Sequence, residues 1–182
     1  MAEQRKYTRT TKSAVKSKPV DEYGHLQPQA IDFEEAVLGA LMIEKDAYSI
    51  VSEILRPESF YDHKHQLLYR AIMTLAMRQQ PIDILTVAEQ LRSTGDLEEA
   101  GGPFYITQLS GKVASSAHIE YHARIIAQKF LARELITFTS NIQTKAFDET
   151  QDVDDLMQEA EGKLFEISQK NMKKDYTQIN PV

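Results

Sequence analysis

At 182 residues, with 42% hydrophobic and 26% charged side chains, the chain can bury one good core and an appendage, and its composition is that of an ordinary soluble globular protein. It has no cysteine, which excludes disulfides, thiolate zinc sites and cysteine nucleophiles. The formal net charge of −6 is unevenly spread: Arg5, Lys6, Arg9, Lys12, Lys16 and Lys18 against Glu3 give the first 20 residues +5 and leave −11 for the rest, an acidic body that argues against a large phosphate-binding face.

Those six basic residues form an arm, residues 1–27, too poor in apolar side chains to order itself; they are the nucleic-acid candidates of the chain. After Pro28, the run Asp32-Phe-Glu-Glu35 resembles a capping sequence, and Ala36, Leu38, Gly39, Leu41 and Met42 predict a deeply buried helix. A second helix is predicted over Lys45 to Leu55, with Ala47, Ile50, Val51 and Ile54 inward. It stops before Pro57, which opens a turn carrying Phe60 and Tyr61. His65 to Arg78 places Leu68, Ile72, Leu75 and Ala76 at helical spacing, and Gln79-Gln80 before Pro81 ends that helix. Thr86 and Glu89 are expected to form a capping box, Gly95 a left-handed stop, and Asp96 with Glu99 a second short helix ending at Gly101. Pro103 suits a first helical turn, followed by Phe104, Ile106 and Leu109 before Gly111. Helices this short are marginal alone, so packing must hold them in a helical head over 28–116.

The character then changes. From Ala117 to Phe147 there is neither proline nor glycine, which predicts one long helix, and a second amphipathic helix is expected from Asp152 to Gln169. The intervening Asp148-Glu-Thr-Gln151 is short enough to require an antiparallel hairpin over 117–170. Val153, Met157, Ala160, Leu164 and Ile167 are expected to form its inner stripe. Ile125, Leu135 and Ile142 lie on a different side of the first helix from Leu131 and Phe138, more apolar surface than one partner helix can cover. The surplus needs another copy of the chain or, alternatively, the head itself. Residues 171–182 are polar and read as the start of a connection. The fold class is thus all-α, a compact multi-helix head followed by a long antiparallel helical hairpin.

No cluster carries evident chemistry. His118 and His122 have metal-compatible spacing but no third ligand, and His63 and His65 flank a helix start, where capping or surface polarity explains them. Glu34-Glu35 and Asp154-Asp155 stand near helix N-termini, where the macrodipole accounts for them. Gly101-Gly102, Gly111-Lys112 and Gly162-Lys163 lack the spacing of a phosphate loop, and Tyr61, Tyr69, Tyr105 and Tyr121 read as packing residues. No catalytic, cofactor or metal site is expected. No apolar run approaches the roughly 18 residues of a membrane span, and no signal-peptide core follows the start, so a cytoplasmic protein without membrane contact is expected.

From Pro28 to Ile167 a series of residues falls in a familiar order. The series comprises Pro28-Gln29, Glu35-Ala36-Val37-Leu38-Gly39, Phe60-Tyr61, His65, Pro81-Ile82-Asp83, Thr86, Leu91, Gly101-Gly102, Tyr105, Leu109, Tyr121 with Ile125-Ile126, Arg133-Glu134-Leu135-Ile136, and Ala160-Glu161 with Leu164-Phe165. The chain resembles the N-terminal domain of the bacterial DnaB-type replicative DNA helicase. The resemblance implies a parent that is a ring-shaped, ATP-dependent DNA-unwinding hexamer, with ATP and Mg in a RecA-like motor domain lying beyond residues 171–182. It also implies N-terminal domains that pair through hairpins and heads into a collar, which receives the C-terminal domain of primase, with helicase loaders as a further partner. Carried onto this sequence, Leu135, Ile136, Phe138, Ile142, Leu156, Leu164 and Phe165 are the candidate oligomer or primase interface. Two features depart from the family: the arm before Pro28 is longer, and Ala114-Ser-Ser-Ala-His118 lacks the proline often found before the hairpin. The competing reading is an all-helical nucleic-acid-binding protein that works through its arm.

Overall fold

Apolar residues at helical spacing, punctuated by Pro, Gly and Asp, build every element of the structure, a computed structural model in which residues 26–112 and 118–172 are described, with side chains to residue 169. The first helix, α1 (Ile31–Leu41), buries Val37, Leu38, Gly39, Ala40 and Leu41. Its start differs from expectation. Ala30, not Asp32, is the cap residue, and its carbonyl accepts from the Phe33 and Glu34 amides at 3.0 Å, so Glu34 and Glu35 lie inside the helix and both turn inward.

The second helix contracts to α2 (Ala47–Ser52), which buries Ala47 and Val51. Ile50 is left outward, while Ile54 and Leu55 enter the core from the turn that follows, because six residues present only one inward line. A 3-10 turn, Pro57–Ser59, delivers Phe60 to the core and precedes α3 (His63–Met77), whose N-cap Asp62 accepts from the Lys64 amide at 2.9 Å. The capping box of α4 (Ile84–Thr94) is Asp83 with Thr86, three residues earlier than expected. Asp83 takes the Leu85 and Thr86 amides at 2.9 Å, and Glu89 instead pairs with Arg92 on the surface. Gly95, at φ +83°, ends that helix as expected. The short helix expected from Asp96 is only a turn, and Gly101, at φ +100°, starts α5 (Gly102–Gly111).

In the head α1 packs against α3 and α5, and α4 bridges α3 and α5. Leu38, Leu41, Phe60, Leu68, Tyr69, Ile72, Leu91, Ile106 and Leu109 fill the space between them. The long helix, α6 (Ile119–Ala146), serves two purposes. Its first turns add Ile119, Ala123 and Ile126 to the head core, packing on α1, α2 and the 3-10 turn, and its distal half carries α7 (Val153–Met172). The connection is held by Asp148, which accepts from the Thr150 amide and hydroxyl at 3.0 and 2.7 Å. The chain is therefore all-α in its described residues, a head followed by an antiparallel hairpin. The domain edge expected between 116 and 117 lies outside the described residues, as do nearly all of the arm at 1–27 and the linker at 171–182. The six basic candidates, Arg5 to Lys18, are among them.

The stripe expected on α7 is rotated. Ile167 is buried, and Leu156 and Ala160, on its side of the helix, are half-buried, whereas Val153, Met157 and Leu164 are exposed. The apolar band on α7 is wider than α6, so one edge packs and the other stays in water.

Candidate assembly surface

The surface that the hairpin presents depends on how the hairpin is fixed to the head, and polar groups fix it. Arg133, midway along α6, donates to the Pro28 carbonyl at 2.8 Å and to the Ser59 carbonyl at 2.7 Å. Its guanidinium also lies over the Tyr61 ring at 5.5 Å and the Phe130 ring at 5.6 Å. One planar, permanently charged group thus ties α6 to the segment entering α1 and to the 3-10 turn, a task suited to the forked donors of arginine. Burial pulls its pKa down, and the nearby Glu34 carboxylate opposes that shift.

Behind it lies a buried chain of hydrogen bonds. Glu34 accepts from the Tyr61 amide at 2.7 Å, from the Asp62 amide at 3.4 Å and from His65 Nδ1 at 2.7 Å. His65 Nε2 lies 2.6 Å from the Tyr105 hydroxyl, which reaches Glu35 Oε1 at 3.3 Å, and Glu35 is paired on its other oxygen with Lys112. Because a carboxylate can only accept, His65 Nδ1 is the donor to Glu34. Burial, then the Glu35 carboxylate, raises the Tyr105 pKa above its ordinary value. The chain joins α1, α3 and α5 at the centre of the head.

This placement corrects two readings of the sequence. His65 is fully buried and central, not a surface or capping residue; His63 alone keeps that role, paired with Glu99 at 3.1 Å. Glu34 and Glu35 do not merely answer the helix dipole, since both are turned into the network. The signal for His65 was present in its spacing, three residues before Leu68 and seven before Ile72. Tyr69 is packed as expected, whereas Tyr121 is largely exposed on α6. His122 meets the Phe33 ring edge-on at 5.1 Å.

The seven interface candidates fall into two groups. Phe138 and Ile142 are half-buried and line, with Ile167, a groove of about 300 Å³ between α6 and α7; Leu156 is half-buried on the same side of α7. Leu135, Ile136, Leu164 and Phe165 face outward, Leu164 with 52% and Phe165 with 65% of its surface exposed. The first group holds the hairpin together and the second leaves an apolar surface on both of its helices.

Comparison with known proteins accords with this architecture. Residues 26–128 match the family described as the DnaB-like helicase N terminal domain. The chain belongs to this family. The match to the DnaB-like domain takes in the whole head and the first turns of α6 that close its core. The replicative DNA helicase DnaB of Rhodothermus marinus is 43% identical over 159 residues, covering 87% of this chain and 17% of that protein. The replicative DNA helicase DnaC of Bacillus subtilis (strain 168) is 37% identical over 157 residues, covering 86% of this chain and 35% of that protein. The chain thus spans about a third or less of the length of these relatives. The crystal structure of the N-terminal domain of DnaB helicase from Mycobacterium tuberculosis superposes with a TM-score of 0.72 at 35% identity, over 76% of this chain and 98% of that one. A DnaB-like replicative helicase whose structure was described with its interactions with primase superposes with a TM-score of 0.63 at 28% identity, over 76% of this chain and 31% of that one. Among the described residues, no helix is long and apolar enough to cross a membrane.

Proposed function

We propose that this chain is the collar module of a replicative DNA helicase: it joins subunits through its hairpin and offers the composite surface to primase. The observation that carries the reading is the uncovered apolar surface of Leu135, Ile136, Leu164 and Phe165, displayed on a hairpin that Arg133 anchors rigidly to the head. Large apolar side chains left uncovered on both helices of one hairpin point to contact with another protein surface. The proposed division has the arm at 1–27, the head at 28–116, the hairpin at 117–170 and the linker at 171–182. Catalysis, with ATP and Mg, belongs in this reading to a motor domain beyond the linker, and DNA is engaged by the assembled ring in the cytoplasm. A loader is a further partner of the parent.

Gel filtration with light scattering at tens of micromolar tests the assembly role. The expected result is a dimer or larger species without nucleotide, reduced to monomer by Ile136→Asp or Phe165→Asp with the circular dichroism unchanged. A strict monomer that these substitutions leave unaltered removes self-association from the reading. Primase docking is measured separately, by calorimetric titration of the C-terminal domain of primase into the oligomeric chain. Equal binding by the oligomer and the Phe165→Asp monomer would show that docking does not use a composite surface.

A further inference from the structure

We propose that the outer face of α7 nearest the hairpin tip is the docking site of the chain's own basic arm, residues 5–18. The inference goes beyond the assembly reading and does not depend on it.

The face is apolar along its ridge and acidic beside it. Phe147, at the tip, is 80% and Val153 71% exposed, and Met157, one turn on from Val153, is exposed as well. Residues 147–161 contain seven acidic side chains and no Lys or Arg. Of the seven, Asp148 and Asp152 bond to the backbone of the connection and of the first turn of α7, and Glu159 pairs with Lys145. Glu149, Asp154, Asp155 and Glu161 are exposed and have no cationic partner among the described residues. Lys163, one turn further along, is engaged by Glu166 at 2.9 Å. This surface is poorly suited to meeting its own copy, since symmetric contact would set carboxylates against carboxylates. It calls for a cationic segment with some apolar side chains.

The arm has that chemistry. Residues 5–18 carry six basic side chains, no acidic one, and Tyr7 and Val15 between them. It also has the reach. Arg133 pins the Pro28 carbonyl to the middle of α6, and the 14 residues from Arg133 to Phe147 span about 21 Å of helix. The ten residues from Lys18 to Pro28 can extend about 33 Å, so Lys18 and everything before it can lie over the tip. Tethering makes the encounter intramolecular, with an effective concentration in the millimolar range that weak electrostatic contacts can use. The arm then screens an acidic, apolar ridge that lies next to the outward assembly residues.

Because the chain has no cysteine, a single Ser13→Cys substitution places a nitroxide spin label in the arm without competing sites. In dilute, low-salt solution the label is expected to erase most of the amide signal intensity over residues 149–161 and spare α3. The signals should return in 1 M salt, where the Debye length is about 3 Å. Asp154→Lys with Asp155→Lys and Glu161→Lys should abolish the effect. So should Arg9→Glu with Lys12→Glu and Lys16→Glu, which leaves the folded body untouched. Unaltered α7 signals, or broadening that survives either charge reversal, overturns the proposal. Equal broadening when isotope-enriched, unlabelled chain is mixed with spin-labelled chain would assign the site to a second copy's arm and equally overturn it. None of these readings requires the chain to be oligomeric, so failure of the assembly role leaves the test intact.

Discussion

Glu34 gathers three donors in the middle of the head, two backbone amides and His65. Truncation to alanine strands all three away from water, and losing one partner of a buried ionic network costs about 3–5 kcal/mol. We expect Glu34→Ala to lower the urea unfolding midpoint by the equivalent amount, followed by helical circular dichroism. Glu34→Gln, which keeps an acceptor for the Tyr61 amide, should cost clearly less; equal losses would mean that the charge matters and the geometry does not. Tyr61 itself offers a contrast. Its hydroxyl is buried without a hydrogen-bond partner among the described residues, so Tyr61→Phe should fall within about 0.5 kcal/mol of the parent or stabilise it. A loss as large as that of Glu34→Ala would reveal a missed partner. The network also sets an alkaline limit. Burial raises the pKa of Tyr105, and of Tyr69, above the ordinary value of 10.0. Above that pH the unfolded chain releases protons that the folded chain retains, so stability is full below pH 10 and declines as pH rises from there toward the folded pKa values. Tyr105→Phe should flatten the decline in unfolding free energy measured between pH 10 and 11. Of this site, the spacing of His65 from Leu68 and Ile72 carried a signal of its inward position, which the capping reading of that residue passed over. Its partner lies 31 residues upstream and Tyr105 lies 40 downstream, distances over which helical periodicity carries no pairing information.

Among the elements, α4 and α5 are bounded by the clearest local chemistry. Asp83 supplies two cap bonds, and Asp83→Ala is expected to cost about 1 kcal/mol. The two left-handed glycines separate two causes of cost. At Gly95 (φ +83°) an added Cβ meets open space, so Gly95→Ala carries only the backbone penalty of about 1 kcal/mol. At Gly101 (φ +100°) the Cβ would stand 2.7 Å from the Tyr105 ring, which cannot move freely because its hydroxyl is held at His65. Gly101→Ala should therefore exceed Gly95→Ala in thermal denaturation; matching midpoints would mean that the ring is free to shift. The helix stops marked by glycine and proline were readable because they are local. The start of α4 was displaced because Asp-x-x-Thr and Thr-x-x-Glu overlap there, and only burial of Val87 and Leu91 selects the first. The rotated stripe on α7 has another origin. Apolar residues cover an arc wider than one neighbour, and periodicity does not say which edge of that arc meets α6.

At the scale of the whole molecule, the buried core and the proposed assembly surface lie in different parts of the chain. Among the described residues, the buried core of the head lies between Val37 and Ile126, and the one buried apolar side chain on α7, Ile167, stands outside it. The hairpin therefore hangs from the head by α6, with Arg133 as its last anchor, and α7 packs on the part of α6 beyond that anchor. Removing everything after Phe147 should cost the head little. Burial of one isoleucine is worth roughly 1.5–3 kcal/mol, and the loss falls on the distal turns of α6. Amide hydrogen exchange on residues 1–147 is expected to show parent-like protection in α1 and α3 and sharply reduced protection in α6 after Arg133. The same fragment, deprived of Leu164 and Phe165, should elute as a monomer at concentrations where the full chain associates. Loss of protection in α1 would mean that α7 supports the head through α6 as a single cooperative unit. Retained protection with retained association would shift the interface onto the head and away from α7.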